Sequence, residues 1–328
     1  MGDELLRRTR TFLTALPRAQ QSSPLGEVLD FQVEALRRAD PQLVAALPTK
    51  DGDARHVLAR EHCFANWDQA RACERIVDWR FEAAADAIVD GDLSTLRRLV
   101  AEDAALALAR SPYGHRASLL HHVAANGIEV CRQWQSPPNA TDLARVLLDA
   151  GAEVDATATM YGCDTALTLL ASSCHPAAAG VQGPLVDVLA DGGADLDRDG
   201  GAPLWTAIVW GYAEAVDRLV ARGARVDNLV FAAAANDLDR VRVLLTSPSP
   251  PLRFGSIELD RAHTLEYATI YAAGLGRRDA VALLLRHGPD LSFREPIYQN
   301  TAADAAGYSH PAAGRPGGSP DIVALLGR

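Results

Sequence analysis

The stretch Asp195-Leu-Asp-Arg-Asp-Gly200 sets a carboxylate at every second position ahead of a glycine, as the opening of a calcium-binding loop does. Such a loop needs a bidentate Glu at its twelfth position, and here that position is Thr206. The simpler expectation is a repeat hairpin with Asp-Gly at its tip. His121 and His122 are adjacent, so on a helix they point about 100° apart and cannot share a metal. His56 and His62 are also wrongly spaced for one helical face. Cys174-His175 pairs a nucleophile with a base, but sequence neighbours seldom align for proton transfer, and no third partner is identifiable. The five cysteines (Cys63, Cys73, Cys131, Cys163 and Cys174) lack CxxC spacing, so neither a zinc site nor a disulfide framework is expected. Lys50 is the only lysine, which excludes a phosphate-binding Gly-x-x-x-x-Gly-Lys loop and the strand lysine of a kinase. No Gly-x-Ser-x-Gly elbow or His-Glu-x-x-His motif occurs. The expectation is no enzyme, no metal and no cofactor.

That leaves Trp205 and Trp210, and the elements that carry them. Ala202 to Asp227 reads as two short helices and a loop. Ala207 and Ile208, then Val216, Leu219 and Val220, recur at helical spacing. Gly211 and Gly223 stop the two helices, because each exit needs a left-handed residue. Helices this short cannot bury their apolar faces alone, so the unit needs a copy on each side.

Copies are present. Gly91-Asp-Leu returns as Asn236-Asp-Leu, and Asn is the next best residue for a left-handed turn. Ser118-Leu-Leu-His-His-Val-Ala-Ala-Asn-Gly127 opens one unit, and Leu147-Leu-Asp-Ala-Gly-Ala-Glu-Val-Asp155 ends it. The interval from Gly211 to Gly223 is repeated from Gly276 to Gly288. The pattern resembles an ankyrin repeat, whose core reads Thr-Pro-Leu-His-x-Ala-Ala-x-x-Gly, then a Glu-Val-Val-x-Leu-Leu helix and a Gly-Ala-Asp-Val ending. The resemblance implies an all-α ankyrin-repeat solenoid with short hairpin loops. About seven helix pairs fall near 81–114, 115–156, 157–199, 200–228, 229–260, 261–296 and 297–328. Extra chain at 128–139, 174–183 and 310–320 falls between the two helices of a unit, and that at 246–263 on the hairpin side.

Residues 1–80 are expected to be an N-terminal helical capping segment ahead of the array. Leu5, Leu6, Phe12, Leu13 and Leu16 share one face, and Leu25, Val28, Leu29, Val33 and Leu36 a second. Asn66 and Gln69 have capping spacing. Ala59-Arg-Glu-His-Cys-Phe-Ala-Asn-Trp67 resembles a stretch ahead of the repeats in bacterial ankyrin-repeat proteins, with Cys63 for its Gly and Asn66 for its Ser. The resemblance makes Phe64 and Trp67 packing residues that cover the first repeat's open face.

In ankyrin repeats the two positions before the left-handed glycine line a concave groove that varies with the partner. The resemblance carries this role to Ala125, Asn126, Ser172, Ser173, Val209, Trp210, Ala234, Ala235, Gly274 and Leu275. Arg198 and Asp199 at a hairpin tip would border the groove. Trp210 either anchors a partner, since Trp is enriched among binding hot spots, or packs against an adjacent repeat. Trp205, in the motif-histidine slot, is expected to pack. His121 is implied to hydrogen-bond between neighbouring loops and His122 to lie nearer the concave side.

Charge narrows the partner. The net charge is −10; residues 1–80 carry 12 acidic and 12 basic side chains, and the rest of the chain 30 and 20. The repeats hold the whole excess, which repels phosphate backbones and suits a basic or neutral protein partner over nucleic acid. No run approaches the roughly 18 apolar residues of a membrane span. The N-terminus lacks a signal-peptide core and Leu6 breaks the myristoylation pattern, so a cytoplasmic monomer or weak oligomer is expected. Two rival readings stand beside the binding module. One is an enzyme or metal-binding protein with its site in the inserted loops near Trp134 and His175. The other is a structural scaffold that oligomerises through its N-terminal segment.

Overall fold

The computed structural model describes residues 64–66, 68–69, 72, 78–124, 128, 133, 135–159, 164–247, 252–254, 257–315 and 317–327. The chain divides between Ala194 and Asp195 into two compact units. That boundary falls inside the expected 157–199 repeat. The stripes expected over residues 5–36, and Trp67, Ala125, Asn126 and Trp134, lie outside the described residues.

The repeats of the first unit open with α1 (Trp79–Asp90) and α2 (Leu93–Glu102), two residues ahead of the expected start at Phe81. Then come α3 (Leu119–Ala124), α4 (Ala140–Asp149), α5 (Ala166–Ala171), α6 (Cys174–Ala178) and α7 (Gln182–Asp191). Helices α1, α3 and α5 stack on one side, and α2, α4 and α7 on the other. The two layers differ because their sequences do. Every residue of α3 and α5 is buried, so these helices are covered all round. The second layer is amphipathic, and α4 buries only Ala140, Leu143, Ala144 and Leu147. Each fully buried leucine contributes about 2 kcal/mol, which lets helices of one or two turns persist.

The turn between α1 and α2 follows from three consecutive residues. Gly91 takes φ 73° to end α1, and the Asp92 side chain caps α2 by accepting from Thr95 N at 3.0 Å. Accepting from Ser94 and Thr95 holds the Asp92 carboxyl down at about 2. The tips of successive pairs close through single antiparallel bridges, Arg110 to Ser118 and Thr157 to Thr165. Ahead of α1, Gln69 N donates to Asn66 Oδ1 and Ala65 N to Gln69 Oε1, both at 3.0 Å, which is the expected capping pair. Phe64 packs edge-on against Tyr113 with ring centroids 6.3 Å apart. The insertion at 174–183 departs from a plain loop, because it opens with the short helix α6. Gln182, buried at the start of α7, donates to the carbonyls of Leu170 and Ser173 and fixes that insertion to α5.

The second unit comprises α8 (Arg198–Trp210), α9 (Ala213–Ala221), α10 (Leu229–Ala234), α11 (Leu238–Leu244), α12 (Thr264–Gly274), α13 (Arg278–Leu285), α14 (Ala302–Gly307) and α15 (Pro320–Leu326). Here α8, α10, α12 and α14 pack in succession, and α11, α13 and α15 form the second row. The expected Asp-Gly tip is a turn of a different kind. Asp199, Gly200 and Gly201 take φ 50°, 78° and 95°, so three left-handed residues precede the regular part of α8. The 246–263 connection departs from all-α structure by one small feature. A strand pair, β1 (Arg253–Phe254) and β2 (Ile257–Glu258), sits antiparallel with Arg253 opposite Glu258. Trp205 explains its position: the buried indole donates Nε1–H to the Arg253 carbonyl at 2.7 Å and packs against Tyr271 at 5.0 Å. Trp205 is a packing residue, as expected.

Candidate functional site

The groove positions of the second unit sit at the C-terminal ends of α8, α10 and α12. Gly211 (φ 76°), Asn236 (φ 55°) and Gly276 (φ 75°) are the left-handed residues that end those segments. A helix start follows each of them, and what occupies the capping position differs. Asp237 caps α11 by accepting from Arg240 N at 3.0 Å, repeating what Asp92 does for α2. At the start of α13 the same slot holds Arg277, which cannot accept a hydrogen bond. The missing cap arrives from the preceding pair: Asn236 Oδ1 accepts from Ala280 N at 3.0 Å. Arg277 is thereby free to reach sideways. Its Nε donates to the Ala234 carbonyl at 2.8 Å, and its Nη2 to the Ala213 carbonyl at 3.2 Å and to Asp217 at 2.6 Å.

A second basic side chain enters from the 310–320 insertion. His310 and Arg315 exchange backbone hydrogen bonds of 2.9 and 3.0 Å, which closes a tight loop through Gly314. The loop folds back on α8. His310 Nε2 donates to the Trp210 carbonyl at 3.0 Å, and its ring packs edge-on to Tyr212 at 4.8 Å and Tyr308 at 5.9 Å. Burial, and secondarily the charge of Arg315, hold the His310 pKa below its ordinary value, while the Trp210 carbonyl opposes that shift. Trp210 itself is half-buried, its ring edge-on to Tyr298 at 6.3 Å. Tyr298 and Tyr308 are 43% and 52% exposed.

The remaining expected groove residues offer little surface. Ser173, Val209, Ala234 and Leu275 are buried, and Ser172, Ala235 and Gly274 half-buried. Ser173 Oγ donates to the Leu169 carbonyl at 2.6 Å, which turns it inward. At the hairpin tip Arg198 is half-buried beside an exposed Asp199, with Nε 3.6 Å from its carboxylate. Asp195 and Asp197, the other carboxylates of that stretch, serve the turn: Asp195 accepts from Asp197 N, and Asp197 from Arg225 N. The cluster of Arg277, His310 and Arg315 was missed in the sequence. Its available signal was the Arg in a slot that holds Asp at 92 and 237.

The histidines of the first unit are structural in their surroundings. His121 Nδ1 accepts from Ser118 Oγ at 2.7 Å, and Nε2 donates to the Asp164 carbonyl at 3.3 Å, joining neighbouring loops as the resemblance implied. Burial lowers its pKa to about 4. His122 differs from the expected groove position: it is buried, with its ring edge-on to Phe81 and His115. His175 is buried in α6, with its pKa lowered to about 4 by that burial. Among the described residues no three His, Cys, Asp or Glu side chains group as metal ligands, and no helix is long and apolar enough to cross a membrane.

Among the described residues both units are built from short helix pairs, all-α apart from the β1–β2 pair. No family model and no curated protein matches the chain. Among solved structures, the human ASB11 ankyrin repeat domain is similar over 76% of this chain and 97% of its own, at 21% identity and a TM-score of 0.39. The ankyrin repeat domain of Bcl-3, a member of the IkappaB protein family, is similar over 75% of this chain and 98% of its own, at 22% identity and a TM-score of 0.38.

Proposed function

We propose that the chain is a non-enzymatic protein-binding module and that its partner docks where α8 ends, with Trp210 as the anchor. The observation that carries this reading is the grouping of Trp210, Tyr298 and Tyr308 with Arg277 at a helix start and Arg315 on the closed loop, with both tyrosines substantially exposed. Trp, Tyr and Arg are the residues most enriched where truncation weakens binding. Trp210 ends α8 beside left-handed Gly211 and Arg277 opens α13 beside left-handed Gly276, so these two side chains stand on short turns. A partner meeting them sacrifices little conformational entropy on the receptor side. Arg198 and Asp199 at the tip turn border the same reading.

The test is to capture the partner from native cells, purify it, and titrate it into wild-type protein and into Trp210→Ala combined with Arg198→Ala. Affinity is expected to fall at least about tenfold while the circular dichroism spectrum is retained. Unchanged affinity overturns the site.

A further inference from the structure

Arg315 carries a charge that no described carboxylate neutralises. Its Nε and Nη1 are shielded from solvent and have no hydrogen-bond partner among the described residues. Burial, and then the nearby charge of Arg277, lower its pKa from the ordinary arginine value. The side chain lies across two helix-ending glycines. A Cβ at Gly211 would stand 3.4 Å from Arg315 Nη2, and one at Gly276 would stand 3.7 Å from its Cδ. Desolvating a guanidinium without a counter-charge is unfavourable, and native proteins rarely leave such donors unmet.

The second cation makes the arrangement harder to ascribe to chance packing. Arg277 stands in a slot where Asp92 and Asp237 cap the following helix. The repeat has given up a local cap there, and Asn236 supplies the missing acceptor from another pair. Arg277 is matched by Asp217 at 2.6 Å, so Arg315 holds the unmatched charge. All of this occurs in a chain of net charge −10. Exposed Tyr298 and Tyr308 and half-buried Trp210 lie alongside.

We infer that the Arg315 face of the second unit receives a carboxylate side chain from an acidic segment of a partner protein. The inference rests on the reading that a protein docks beside Trp210, and it specifies that protein's chemistry. A carboxylate matches the planar fork of guanidinium donors and supplies the counter-charge the fold withholds. The flanking aromatics suit the apolar neighbours of a peptide carboxylate. The acidic remainder of the repeats repels a long phosphate backbone along its length, whereas a single carboxylate meets only the local charge of Arg315. Arg315 as a whole is half-buried, so part of the side chain is open to a partner.

The test uses the full chain and fluorescence anisotropy with two fluorescein-labelled peptides, Gly-Leu-Glu-Glu-Leu-Pro-Gly and the same peptide with Gln for Glu. The acidic peptide is expected to bind at least about tenfold more tightly, with affinity falling as salt is raised. Arg315→Gln is expected to remove the difference, and Arg315→Lys to keep part of it, because Lys retains charge without the fork. Thermal melts of both variants matching wild type establish that folding is intact; if Arg315→Gln melts early, the Arg315→Lys comparison decides. Equal binding of the two peptides, binding of neither, or an unchanged preference in Arg315→Gln overturns the inference. Acetate competing at the concentration of the peptide also overturns it, in favour of a small-anion site. Trp210→Ala separates the two readings. Loss of both peptides in that variant, with no acidic preference in wild type, leaves the Trp210 site standing and removes the carboxylate. An acidic preference that persists at full affinity in Trp210→Ala does the reverse.

Discussion

His310 Nε2 donates to the main-chain carbonyl of Trp210 at 3.0 Å, across a separation of 100 residues. The bond ties the last insertion to the end of α8 and fixes the histidine's tautomer, since a carbonyl can only accept. Nδ1 is then left buried with no hydrogen-bond partner among the described residues, and Arg315 stands on the same closed loop. A second proton on that ring would meet an arginine and no acceptor.

Stability is therefore expected to fall on mild acidification. His121, His175 and His310 all have folded pKa values below the unfolded value, the first two at about 4. Between pH 6.5 and about 4 the unfolded chain binds these protons and the folded chain does not, so stability is intact above pH 6.5 and is lost as pH falls through that window. For fully buried His121 the shift corresponds to roughly 3 kcal/mol. Urea midpoints measured from pH 7.5 to pH 4.5 should decline, and His121→Gln should flatten the curve. A flat wild-type profile would contradict the assignment.

Asn236 does two jobs that substitutions can separate. Its backbone is left-handed and its side chain caps α13 in a different helix pair. Asn236→Gly keeps the backbone and removes the cap, for an expected loss of about 1 kcal/mol. Asn236→Ala removes the cap and adds left-handed strain, for about 2 kcal/mol or more. Denaturant titration should rank wild type above Gly above Ala.

Gly91→Ala is expected to be worse than Gly223→Ala. Both glycines have positive φ, but a Cβ at Gly91 would lie 2.9 Å from Pro137 Cβ, whereas Gly223 has nothing within 4 Å. The second change should cost about 1–2 kcal/mol of backbone strain alone. Equal melting temperatures for the two variants would show that the turn near Pro137 yields.

Trp205 can be divided in the same way. Trp205→Phe removes the indole bond to the Arg253 carbonyl and should cost about 1 kcal/mol, more if that carbonyl stays unmet. Trp205→Ala also opens a cavity beside Phe231 and Tyr271, for about 3–5 kcal/mol. Hydrogen exchange at β1 and β2 should rise in both, since the hairpin loses its tie to α8.

Glu295 is buried and accepts from the backbone N–H groups of Ile297, Tyr298 and Asn300. Replacing it with Ala leaves these three backbone donors and the Tyr271 hydroxyl unmet, and a loss of several kcal/mol is expected. Because that loop carries Tyr298, binding of a captured partner should weaken in parallel with the thermal melt.

The sequence by itself determined the local grammar of this protein. Helix spacing at Ala207, Ile208, Val216 and Leu219, the left-handed glycines 91, 211 and 276, and Asn236 in their place all follow from backbone sterics, and each adopts the predicted conformation. His121 joining loops and Trp205 packing followed from register. Tertiary structure alone decided which helix ends meet. His310 and Arg315 lie in an insertion with no repeat register, and nothing local directs that segment toward Trp210. Burial of Val209, Ala234 and Leu275 likewise depends on what chain passes over them. An Arg at position 277 breaks the pattern in the sequence, but its reach to Asp217 and its replacement by Asn236 as cap exist only after the helix pairs have stacked, because both bonds cross from one helix pair to another within the second unit.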